Sequence, residues 1–73
     1  MVDLKQYHSL WNDTWKLFRK YCEAVPLSDA QWRSFVDESA ALVEDHKEHD
    51  TLAIKLMIAI SDEVDRIDKE AKA

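Results

Sequence analysis

No glycine occurs among the 73 residues, and proline occurs once, at Pro26. Phosphate-cradling loops, dinucleotide fingerprints and tight hairpin turns all need a residue without Cβ. A chain without glycine is therefore steered away from each of them and toward helices joined by short polar connections. The rest of the composition is that of a folded domain, with 47% hydrophobic and 34% charged residues. A domain of this length buries only about 60% of the surface its unfolded chain exposes. Small domains often add disulfides or a metal to compensate. Cys22 is the single cysteine and has no partner for an internal disulfide, and no Cys/His cluster has structural-zinc spacing. Dense apolar packing, extended by self-association, is what remains.

Placed at 100° per residue, the side chains predict three helices. The first spans about 3–24, with Leu4, Tyr7, Trp11, Trp15, Phe18 and Cys22 in one arc and Leu10, Leu17 and Tyr21 beside it. Lys5, Ser9, Asn12, Lys16, Arg19, Lys20 and Glu23 fill the opposite arc. Val25-Pro26-Leu27 ends this helix, because proline pushes the residue before it out of helical geometry. Ser28 and Gln31 form a capping-box pair for the second helix, and Leu27 and Trp32 stand at staple positions. That helix spans about 29–46, with Trp32, Phe35, Val36, Ser39, Ala40, Leu42, Val43 and His46 on one face. Asp50 or Thr51 is the expected cap of a third helix over about 51–69, followed by a fraying tail. The expected fold is all-α, an antiparallel three-helix bundle forming a single domain over 1–73.

The third helix departs from the simple pattern. Leu52, Leu56, Ala59, Ile60, Val64 and Ile67 form its inward stripe with Met57 at the margin, while Asp62, Asp65, Arg66, Asp68 and Lys69 form a solvated face. Ile54 and Ile58 fall across the wheel from that stripe, so the first turns are apolar almost all round. Two companion helices cover one side only. An interaction surface made of Ile54, Ile58 and Met57 is therefore expected, with an isologous homodimer as its simplest use.

The net charge of -5 is uneven: residues 1–25 carry +1, residues 26–50 carry -5 and residues 51–73 carry -1. Direct nucleic-acid binding is disfavoured, since phosphate contacts need clustered Lys and Arg. Asp37, Glu38, Glu44, Asp45 and Glu48 are grouped as an acidic face. Such a face is a solvated surface, a docking patch for a basic partner, or a nucleic-acid mimic that blocks a basic groove on a host protein. Lys16, Arg19 and Lys20 make a small basic patch flanked by Asp13 and Glu23, for which local salt pairing suffices.

Cys22 shares its arc with Trp15 and Phe18, where a thiol acts as a small buried hydrophobe. His46 and His49, among Asp45, Glu48 and Asp50, could converge on a divalent metal, but their spacing matches no strong motif. Histidine at a helix C-terminus is the plainer account, and no metal or cofactor is expected. No nucleophile–base arrangement or carboxylate pair occurs, so no catalysis is expected. Met1-Val2-Asp3-Leu4-Lys5 lacks the pattern of a signal peptide. The longest apolar window, 52–60, is far short of the roughly 20 residues that cross a bilayer. With one free thiol, a cytoplasmic setting is expected and no membrane association.

The run Trp11-x3-Trp15-x2-Phe18-x2-Tyr21, with Trp32 just inside the second helix, resembles a class of short all-helical bacterial proteins of prophages and other mobile elements. No activity or site is attached to that class, so the resemblance carries no functional residue across. What it implies is context: an accessory protein or inhibitor that works by binding a host protein.

Overall fold

The computed structural model describes residues 4–73, and the expected helix start at Asp3 lies outside them. Three helices pack against one another: α1, Leu4–Ala24; α2, Asp29–Asp45; and α3, Asp50–Lys72, with a 3-10 turn at Lys47–His49 before α3. The bundle measures 47 × 17 × 16 Å.

The start of α2 follows the expected chemistry. Ser28 Oγ accepts from the Gln31 N–H at 3.2 Å, and Gln31 Oε1 accepts from the Ser28 N–H at 2.8 Å. Leu27 is buried and Trp32 packs against the same core. At the other end, the His46 N–H closes α2 on the carbonyls of Leu42 and Val43. No side-chain hydrogen bond among the described residues caps α3, whose first helical residue is Asp50. Asp50 instead acts through charge, as an acid in the first turn facing the positive end of the dipole. Nor does α3 stop at Lys69. Pairs one turn apart (Asp65 with Lys69 at 2.9 Å, Arg66 with Glu70 at 2.7 Å, Asp68 with Lys72 at 2.8 Å) accompany the helix to Lys72. In two of them the acid precedes the base, the orientation that best suits the dipole.

The inward faces are narrower than the apolar arcs and rotated from their centres. Buried positions are Leu10, Thr14, Leu17 and Tyr21 on α1, Phe35 and Leu42 on α2, and Ala53, Met57, Val64 and Asp68 on α3. Their alternating steps of three and four, completed by half-buried Ser39, His46 and Ile60, are the spacing of helices packed at shallow angles. Phe35, Leu10 and Val64 are fully buried and fill the space between the helices. Trp11 and Trp15 consequently sit at the edge, 54% and 55% exposed, although the wheel centred the inward arc on them. Leu4, Val36, Ala40 and Ala59 were also expected inside and are exposed. The hydroxyls of Thr14 and Ser39 are buried without a hydrogen-bond partner among the described residues.

Asp68 reverses its expected placement most fully. It is 3% exposed, where a solvated face was expected. Its Oδ1 accepts the Leu27 N–H at 2.6 Å and its Oδ2 pairs with Lys72 Nζ. The Lys72 ammonium, the Leu27 amide and the Trp32 indole N–H together hold the carboxyl below the usual carboxylate range. One buried acid thus joins the connection before α2 to the last turns of α3.

Candidate interaction surface

An open, mainly apolar groove runs between α2 and α3, lined by Ser39, Ala40 and Val43 on one side and Ile54, Met57, Ile58, Ser61 and Asp62 on the other. Val36 lies one turn before Ala40 on the same side of α2. The two isoleucines lining this groove are open to water, Ile54 46% and Ile58 59% exposed, and Val36 on α2 is 62% exposed. The two isoleucines therefore lie outside the core, but not diametrically opposite it. The buried stripe of α3 is centred on Ala53, Met57 and Val64, which turns Ile54 and Ile58 onto the flank facing α2. Met57, expected beside them on the surface, is buried and forms the groove's floor.

The five carboxylates expected on one acidic face are dispersed. Glu38 belongs to the seam between α1 and α2: Lys20 Nζ lies 2.6 Å from its Oε1, and the buried Tyr21 hydroxyl donates to its Oε2. Those two donors hold the Glu38 carboxyl below its ordinary range. Burial first, and then the Glu38 carboxylate, push the Tyr21 phenol up to about 12. Glu48 falls in the 3-10 turn, beyond the end of α2. Asp37, Glu44 and Asp45 remain exposed on α2. In the basic patch, Lys20 crosses to Glu38, while Arg19 pairs locally with Glu23 at 3.6 Å.

The two histidines point to separate partners. His46 Nε2 meets Asp13 Oδ2 at 2.7 Å, and His49 Nε2 donates to Gln6 Oε1 at 2.9 Å. The His49 ring also lies against Tyr7, with centroids 4.2 Å apart. Both imidazoles tie the connection between α2 and α3 back to α1. No group of three or more metal-ligating side chains gathers among the described residues. Cys22 is half-buried, and burial, then the nearby Glu63 carboxylate, push its thiol up, away from the thiolate that a nucleophile requires. No helix is long and apolar enough to cross a membrane among the described residues.

Val36, which the helical period places inward with Phe35, is exposed on α2 instead. The signal available was the spacing Val36-x3-Ala40-x2-Val43, a second apolar line beside the buried one. No family model, curated protein or solved structure matches the chain.

Proposed function

We propose that the protein is a non-enzymatic interaction module that self-associates through the groove between α2 and α3, in the cytoplasm. The observation supporting this reading is the exposure of Ile54 and Ile58 along one mainly apolar groove, with exposed Val36 a turn before Ala40 on α2. Single exposed aliphatic residues are ordinary, whereas a contiguous patch framed by polar side chains is the usual form of a protein–protein contact. The test is solution mass by light scattering over the micromolar range, for the native chain and for Ile54→Glu/Ile58→Glu. Both positions are exposed, so the variant retains its helical circular dichroism and runs as a monomer, while the native chain runs as a dimer. A native chain that stays monomeric throughout refutes the reading, as does a folded double variant that associates unchanged.

The alternative, an acidic inhibitor or nucleic-acid mimic blocking a basic groove on a host protein of the kind the prophage resemblance implies, has less to rest on. With Glu38 engaged by Lys20 and Tyr21 and Glu48 off the helix, it depends on Asp37, Glu44 and Asp45.

A further inference from the structure

We propose that the second copy lies on this groove about a two-fold axis running along the bundle, so that α3 of each copy rests on α2 of the other and Lys55 pairs with the second copy's Glu44. This arrangement rests on the self-association reading and adds its geometry. Two features of the groove point to it, one of shape and one of charge.

The groove's two walls run in opposite chain directions. Val43 and Ile54 stand nearer the turn that joins α2 to α3 than Ser39 and Ser61 do, and helix rise puts Ala40 within about one turn of the level of Ile58. A two-fold along the bundle exchanges α2 and α3 without moving any residue along the axis. Ile58 of one copy then meets the methyl-sized gap at Ala40 of the other, and Ile54 meets Val43. A two-fold across the bundle sets Ile58 against Ile58 and Ala40 against Ala40, bulk on bulk and gap on gap. Close packing favours large against small.

The charges flanking the groove follow the same rule. At 100° per residue Glu44 and Arg33 fall just beyond the groove side of α2, and Lys55 and Asp62 just beyond that of α3, with Glu44 and Lys55 nearer the connecting turn and Arg33 and Asp62 farther from it. All four are exposed, and none makes an ion pair among the described residues. Exchange of α2 and α3 brings Lys55 beside the second copy's Glu44, and Asp62 beside its Arg33, twice each by symmetry. Opposite charges at the rim of an apolar contact fix register and orientation more than they add affinity.

Sedimentation equilibrium at low salt tests the arrangement with the native chain, Lys55→Glu, Glu44→Lys, Lys55→Glu/Glu44→Lys and Lys55→Glu/Asp62→Lys. Each single reversal weakens the dimer about tenfold, because two attractive rim pairs become repulsive. The Lys55→Glu/Glu44→Lys swap restores it to within about threefold, and high salt shrinks the differences. In contrast, Lys55→Glu/Asp62→Lys is weaker than Lys55→Glu alone. Rescue by Asp62→Lys instead of Glu44→Lys overturns the arrangement in favour of a two-fold across the bundle. A native dimer indifferent to all these reversals also overturns it, while leaving self-association intact. A monomeric native chain refutes self-association itself and the arrangement with it.

Discussion

Replacing Tyr21 with Phe isolates one bond in the seam between α1 and α2. The ring is buried and stands edge-on to Phe35, with centroids 5.0 Å apart, and that packing survives the loss of the hydroxyl. What disappears is the donation to Glu38. A hydrogen bond to a charged group contributes about 1.5–3 kcal/mol, but the Glu38 side chain is 40% exposed and water can take the vacated lone pair. The expected loss is therefore at or below the lower bound, about 1–1.5 kcal/mol. Against a total of about 4–11 kcal/mol for a domain this size, that is a large share. Thermal unfolding should move down by about 4–12 °C. Urea and thermal melts followed by circular dichroism measure the loss, and a double-mutant cycle with Glu38→Gln assigns it to the pair. High pH gives a second readout. The unfolded phenol ionises near 10.0 and the folded one near 12. The contribution is thus complete below pH 10.0 and is lost as pH rises toward 12. The native chain should show this alkaline decline and Tyr21→Phe should lack it. A variant within about 0.3 kcal/mol of native, or a cycle with no coupling, would refute the seam's dependence on this bond.

Asp68 governs the acid side. Lys72, the Leu27 amide and Trp32 hold its carboxyl below the usual carboxylate range, so its contribution is present above that range and disappears as pH falls through the lower folded value. Asp68→Asn should lower the urea midpoint at neutral pH and flatten the acid decline seen in the native chain; a parallel decline in both would count against the buried carboxylate. Thr14→Val should act in the opposite direction, raising stability by about 1 kcal/mol, because it removes a buried hydroxyl with no hydrogen-bond partner among the described residues. A loss in the urea midpoint would mean that the Thr14 hydroxyl is hydrogen-bonded after all.

The helix count and most boundaries were legible because their signals are local: the apolar period, Pro26, and the Ser28–Gln31 box act within one or two turns. The rotation of α1 was not. Its apolar residues span so wide an arc that several inward faces are consistent with it, and the packed interior chose Leu10, Thr14, Leu17 and Tyr21 over the indoles. Ile54 and Ile58 were legible as residues outside the core, whereas their position beside α2 depended on where α3's buried stripe is centred. Asp68 was illegible for another reason. Its partner at Leu27 lies 41 positions away, and nothing near either residue in sequence announces the contact. Glu38 was misplaced similarly, since a carboxylate on an acidic helix looks solvated until Lys20 and Tyr21 arrive from α1.

His46 and His49 fasten one end of the bundle to Asp13 and Gln6, and Asp68 fastens the other to Leu27. Fixed at its two extremities, the molecule cannot readily splay, and the channel between α2 and α3 keeps a preset width. An incoming surface then meets a shape already in place and spends little of its contact energy on ordering the receiver.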